Sequence, residues 1–356
     1  MPLHLPHDLY TQLRLAVTEA DEYRLTPQAL AALQNEPRPE PVAAPPLDPR
    51  NPFTLLPSAA AVLQHLYEQA PFVGGFLAQV NGLITPLLSI VSAAPDASIA
   101  ATLQLDTNHY TSAHAIQVAA LIVVIRPLMQ FDEAECHVLM QAALCMNLAS
   151  SALQDNLDRQ LAPLSSRQSR DLRIHPLLSS AWMHEMGVED PLLHRLVCEH
   201  HERLDGRGYP ARQVRDEIHP LSHVLQVLDE LTARFSPRSH RLPLQSAQIM
   251  RELFARRGTH HIENKLVEAA IKTLGLYPSG LLVRLGNGRN AMVWQQTDKV
   301  DQPRVVLLES DGRFSPLDLR QAGFGIQEQV VLRPSRQASR HLRQAWGYAP
   351  KTADTL

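Results

Sequence analysis

The chain has 356 residues, a mass of 39.7 kDa and a formal net charge of −3, with 45% hydrophobic residues. That length allows one large domain and a smaller one with ample apolar sequence for a core, so a disulfide framework is not required. The near-neutral charge excludes no fold, but it gives no general reason to expect DNA or RNA as a partner. Cys136, Cys145 and Cys198 sit in apolar stretches without CxxC spacing and read as reduced core residues of a cytoplasmic protein.

The N-terminus, MPLHLPHDLYTQLR, lacks a basic stretch followed by an apolar run and a cleavage site, so no secretory signal is expected. Residues 8–35 are expected to form one or two polar helices, making 1–35 a helical extension. The proline-dense run EPRPEPVAAPPLDPRNP predicts a linker over 36–54. From 55 to 276 apolar residues recur at helical spacing with few β-branched alternations, which predicts an all-α body. Within it, 72–95 is broken by Gln79, Asn81 and Pro86, and 113–130 by Gln117, Arg126 and Pro127, so both are expected to be buried helices rather than membrane spans.

In RIHPLLSSAWMHEMGVED, Pro176 suits a first helical turn, Leu177, Leu178, Ala181 and Trp182 suit one face, and Gly187 suits an end. That helix is expected to begin just after His175. Beyond 276 the pattern changes to the short β-type runs LLVRL, AMVWQQ, PRVVLLE and QVVLR between turn residues, predicting a small β-rich region over 277–334. Residues 335–356, locally basic near Arg343, are expected to be a solvated flexible tail.

The strongest local signal is HHERLDGRGYP, from His200 to Pro210. Successive helical side chains diverge by about 100°, so His200 and His201 can face one site only where a helix ends. Two imidazoles there are candidate metal ligands. Glu202, Arg203, Asp205, Gly206, Gly208, Tyr209 and Pro210 then make a turn-rich loop in which glycines allow positive φ or close approach and the tyrosine offers an aromatic face. The plainer reading of such a pair is two histidines complementing a helix dipole before a surface turn.

The whole string resembles the HHExxDGxGYP signature of HD-GYP domains, and the resemblance extends over roughly 90–285. DTNHYTSAH at 106–114 is similar to that family's D-x-Y-T-x-x-H-S helix and implies a ligand at His114. DLRIHP implies another at His175, with Arg173 at a basic position near the phosphates, and IHPLSHVLQVLDEL implies an aspartate ligand at Asp229. Arg238 and Arg241 match a segment that lies near the ligand in the family. The implied fold is a mostly α HD-type helical bundle, here with a polar N-terminal extension and a β-rich C-terminal appendage. The implied activity is hydrolysis of cyclic di-GMP to pGpG or GMP at a two- or three-metal centre, usually of iron or manganese.

One part of the pattern is missing. The stretch QAALCMNLAS places Met146 and Asn147 at the histidine–aspartate pair that names the family, and Ser150 at its lysine. Methionine offers a soft thioether where imidazole is wanted, and asparagine lacks the charge with which one carboxylate bridges two cations. Serine lacks the charge that lysine offers a phosphate. The resemblance therefore implies a degenerate member holding one weakly bound divalent ion, iron or manganese. Its expected role is regulatory, through cyclic di-GMP or a GGDEF-domain protein contacted by the GYP loop. The alternatives are a residual metal-dependent phosphodiesterase using His175, His200 and His201, and a metal-free interaction scaffold of the HDOD type. His109, His137, His184, His194, His219 and His223 match no ligand position, and His260–His261 is read as an ordinary helix-start turn.

Overall fold

In the computed structural model, the structure describes residues 15–17, 23–35, 43–70, 75–105, 107–236, 245–258, 261–308, 314–330 and 342–348. Helices α2 (Pro52–Gln69), α3 (Phe76–Ala93), α4 (Pro95–Thr102), α5 (Tyr110–Met129) and α6 (Glu133–Cys145) form the first half of the bundle. The second half is α7 (Ser151–Arg159), α8 (Ser166–Glu185), α9 (Pro191–Glu199), α10 (Pro220–Phe235), α11 (Ser246–Ala255) and α12 (His261–Leu274). The body is mostly α, as its apolar spacing predicts.

Helix α5 lies at the centre and packs against α2, α3, α4, α6, α10 and α12. Its side chains are buried on nearly every face, which is why its sequence is apolar all round instead of striped. It ends at Gln130, whose φ of 61° turns the chain back into α6, and Asp132 with Glu135 forms the capping box that starts α6. Among the described residues three helical stretches, α3, α5 and Glu133–Arg159, are long and apolar enough to cross a membrane by length and composition. Burial covers 72% of the apolar window in the second and third but 33% in α3, whose outward face carries Ala78, Gln79, Gly82, Thr85, Ser89 and Ser92.

The sequence expectation needs four corrections. The linker ends earlier than 54, because Asn51 caps the N–H of Phe53 and Pro52 opens α2. Helix α8 begins not after His175 but at Ser166, started by a capping box of Ser165 and Gln168, with Pro176 in its interior. The tail is not solvated throughout: Leu342 is buried, and Trp346 and Tyr348 pack on Phe53 at 5.9 and 5.8 Å between ring centroids.

The fourth concerns the N-terminal extension. Strands β1 (Leu15–Val17) and β2 (Tyr23–Leu25) pair antiparallel, and only then does α1 (Pro27–Asn35) follow. Leu15, Tyr23 and Leu25 form a satellite core with Ile174, Leu177 and Ala181 of α8 and Cys198 of α9. The alternation Tyr23, Arg24, Leu25 suits a strand better than a helix once α8 supplies an apolar surface. Leu25→Ala is expected to remove roughly 2 kcal/mol or more of this docking. Limited digestion should then cut faster after Arg24 while helical circular dichroism is kept; unchanged cleavage would contradict the docking.

The C-terminal appendage is an antiparallel sheet of β3 (Leu282–Leu285), β4 (Asn290–Gln295), β5 (Arg304–Leu308), β6 (Phe314–Asp318) and β7 (Ile326–Gln329), in the order β6-β5-β4-β3-β7. It has its own core of Val283, Leu285, Ala291, Val293, Val305, Leu307 and Leu319. Asp96 of α4 ties it to the bundle by accepting from Ser279 Oγ at 2.5 Å and the Gln296 N–H at 3.1 Å.

Candidate metal centre

The bundle brings His114 of α5, His175 of α8, His200 and His201 at the end of α9, and Asp229 of α10 to one place. Helix α9 stops at Glu199, and His200 follows at φ −63°, ψ −7°, so the chain leaves the helix as the two histidines pass. One ring nitrogen from each of His175, His200 and His201 lies within 4.8 Å of the others. His114 Nε2 is 2.7 Å from Asp229 Oδ1, and His201 Nδ1 is 3.7 Å from Asp229 Oδ2.

Protonation follows from burial. Burial drives the His175 imidazole down to about 3, helped by the neighbouring His200 ring, against the Leu172 carbonyl and the Asp229 charge. His200 is also lowered, chiefly by burial, and His201 lies well below its usual value through burial and then the His200 ring. All three are neutral near pH 7, with one N–H each. His175 gives its Nδ1–H to the Leu172 carbonyl at 2.5 Å, and His200 gives its own to Val197 at 2.6 Å. Both Nε2 atoms are therefore unprotonated acceptors, yet they lie 3.1 Å apart.

Two lone pairs at that distance repel unless a cation lies between them. Two nitrogens each about 2.1 Å from one ion, at angles near 90–110°, would be about 3.0–3.4 Å apart, so the separation fits two ligands of one metal. The His114–Asp229 half differs. Burial pushes the Asp229 carboxyl up, but the hydrogen bond from His114 and the His114, His201 and His200 rings outweigh it and leave the carboxylate well below its usual range. His114 and Asp229 thus form a hydrogen-bonded pair, with His114 Nδ1 buried and without a hydrogen-bond partner among the described residues.

The loop after the histidines is built around Glu202. Its carboxylate accepts the N–H groups of Ala211, Arg212 and Gln213 at 2.6, 3.1 and 3.0 Å, while burial pushes the acid up to about 7 against those donors. The Tyr209 N–H donates to the His201 carbonyl at 3.2 Å, and the Tyr209 ring lies 4.6 Å from the His201 ring. Gly206 has φ +70°, and Gly208 is packed against the backbone of residues 201–203. Arg203 pairs with Asp205, and Asp205 also accepts the Arg207 N–H and bridges to Val214. Pro210 is half-buried, and Arg173 is exposed.

The HD domain family matches residues 98–266, a span that contains all five converging side chains. A cyclic di-GMP phosphodiesterase of Pseudomonas aeruginosa, PA4108, is 25% identical over 252 residues, covering 69% of this chain and 60% of that protein. Among solved structures, Bd1817, an HDG"Y"P protein from Bdellovibrio bacteriovorus, superposes with a TM-score of 0.51 at 15% identity, over 62% of this chain and 72% of that one. The chain carries an HD domain and is similar to HD-GYP proteins. The 3'3'-cGAMP-specific phosphodiesterase 2 of Vibrio cholerae is also similar, 27% identical over 46% of this chain and 31% of that protein. The chain spans less than two thirds of the length of these curated relatives.

The stretch that the sequence resemblance aligns with the name-giving pair lies at the end of α6. Met146 and Asn147 are buried, and the Ala149 N–H donates to Ser179 Oγ on α8, one turn beyond His175. Gln154 Nε2 donates to Asn147 Oδ1 and to Ser150 Oγ, both at 2.7 Å. The asparagine oxygen is thus engaged by a neutral amide. Sequence reasoning passed over Gln154, because a glutamine four residues past the pattern carries no motif signal.

The described histidines that match no ligand position make other contacts. His194 accepts from Ser180 and donates to the Val188 carbonyl, stacked 3.6 Å from His184. His219 caps α10 by accepting the Leu221 N–H, and His223 faces Glu263 at 4.0 Å. His109 lies 3.7 Å from Asp155, and His137 is half-buried on α6. Arg238, Arg241 and His260 lie outside the described residues. The cysteine thiols are buried, and burial pushes Cys145 and Cys198 up to about 12, as expected of reduced core residues.

Proposed function

We propose that this protein is a cyclic-di-GMP signalling component of HD-GYP type that holds one divalent cation weakly on His175, His200 and His201 and works as a binding module. The observation that carries the reading is the contrast between the two halves of the centre. One half presents two open Nε2 lone pairs 3.1 Å apart, whereas His114 and Asp229 are already paired. At the bridging position, Asn147 has no charge and its oxygen is held by Gln154. Neutral imidazoles suit a first-row divalent ion such as iron or manganese. When bound, the ion would supply Lewis acidity toward a phosphodiester oxygen.

The relatives named for cyclic di-GMP and 3'3'-cGAMP support a cyclic dinucleotide as ligand. The loop held by Glu202 offers Tyr209 beside the ion-binding rings and exposed Arg207 and Arg212 at its rim, a surface suited to a cytoplasmic partner such as a GGDEF-domain protein. Calorimetry with cyclic di-GMP and pull-down with purified GGDEF proteins test this. Binding in at least one is expected, and none in either would end the reading.

A second reading, residual phosphodiesterase activity, is favoured by the three nitrogens gathered within 4.8 Å. Incubation with cyclic di-GMP and manganese or ferrous iron, followed by analysis for pGpG, separates the two. Turnover that His200→Ala abolishes would select the enzyme.

A further inference from the structure

Helix α8 runs from Ser166 to Glu185 although Pro176 stands in its interior, immediately after His175. Proline has no N–H to give the carbonyl four residues back, and its ring crowds that carbonyl. The carbonyl belongs to Leu172, and it accepts the Nδ1–H of His175 at 2.5 Å. His200 gives its Nδ1–H to Val197 in the same way at 2.6 Å, but at the C-terminal end of α9. There the last carbonyls of any helix lack backbone donors. Two rings of one centre therefore rest on spare backbone carbonyls, one made spare by a helix end and the other by a proline.

We propose that Pro176 is a positioning residue for His175. By leaving the Leu172 carbonyl without its backbone donor, it draws the ring proton to Nδ1 and turns the Nε2 lone pair toward His200, 3.1 Å away. Helical side chains lean back over the preceding turn, so a histidine at the position before the proline is placed to reach that carbonyl. Helix initiation does not account for Pro176, since α8 begins ten residues earlier at its own capping box. A hydrogen bond from the second ring nitrogen fixes both tautomer and orientation of a metal-binding histidine.

The effect on metal affinity rests on the cation reading above; the effect on the ring tautomer does not. Pro176→Ala in the full chain restores an N–H to compete for the Leu172 carbonyl while improving helix propensity. Three quantities would be compared with the parent: histidine ring tautomers by 15N NMR, manganese affinity by titration, and the melting temperature. The expected result is an equal or higher melting temperature, loss of the pure Nδ1–H form at His175 with His200 unchanged, and manganese binding weakened roughly tenfold.

Retention of the Nδ1–H form at His175 with unchanged affinity would overturn the proposal. So would a parent protein whose His175 carries its proton on Nε2. If the parent binds no manganese, the cation reading fails by itself and the tautomer comparison decides on Pro176. Pro176→Ser restores the same N–H and serves by the same criteria should the alanine variant not fold.

Discussion

Replacing Met146 by histidine and Asn147 by aspartate together is expected to raise metal binding from one ion per chain to two. His114, His175, His200, His201 and Asp229 already converge, so the substitutions add an imidazole and an anionic bridge to a standing frame. The aspartate should matter more. Two divalent cations about 3.5–4 Å apart repel strongly in a buried site, and a bridging carboxylate offsets that repulsion. Gln154 assists, because an aspartate at 147 can keep one oxygen on its Nε2 and present the other to the centre. Met146→His alone should gain little. Adding Ser150→Lys should give the most active protein, since a lysine can meet phosphate charge, although Gln154 then loses one of its two acceptors. Elemental analysis and cyclic-di-GMP turnover across parent, double and triple variants check this order. A double variant that folds by circular dichroism yet gains no metal would show that 146 and 147 do not lie at the metal centre.

Gly208→Ala is expected to disrupt the loop that carries the signature. A Cβ at 208 would sit 2.5 Å from the Arg203 nitrogen, 2.6 Å from Glu202 Cα and 2.7 Å from the His201 oxygen. All three are backbone atoms, so no side-chain rotation relieves the clash. The chain must move just past the end of α9, where the Tyr209 N–H meets the His201 carbonyl. A cost of at least about 3 kcal/mol is expected, beyond ordinary overpacking because rigid backbone lies on three sides. Denaturant melts should register it, and manganese affinity should fall with it. By contrast Gly206→Ala meets chiefly the Val214 side chain at 3.1 Å, although its φ of +70° still makes it unfavourable. A Gly208→Ala protein as stable as the parent would refute the close packing.

Much of this was legible in the sequence because it depends on local pattern. Two histidines before a turn-rich loop required a helix end, and α9 ends there. The apolar run 113–130 announced the buried helix α5, whereas 72–95 contains α3, of whose apolar window only 33% is buried; the runs LLVRL, AMVWQQ and PRVVLLE announced β3, β4 and β5. What was not legible depends on partners distant in sequence. The β1–β2 hairpin needs the apolar face of α8, so a polar N-terminal stretch read alone gave helices. The docking of Trp346 and Tyr348 needs Phe53, nearly three hundred residues earlier. Pro176 was read by its usual place in a first helical turn, but the capping box at Ser165 overrode that preference and left the proline inside the helix. The engagement of Asn147 by Gln154 could not be foreseen from a motif, since neither residue's neighbours advertise it.

The central claim is that the centre has one open cation site and no bridge for a second. Its most direct test is to saturate the parent protein and His200→Ala with manganese, remove unbound metal and count ions per chain by elemental analysis. At most one ion is predicted in the parent and none in the variant. Two ions per chain in the parent, or an undiminished count in His200→Ala, would contradict it.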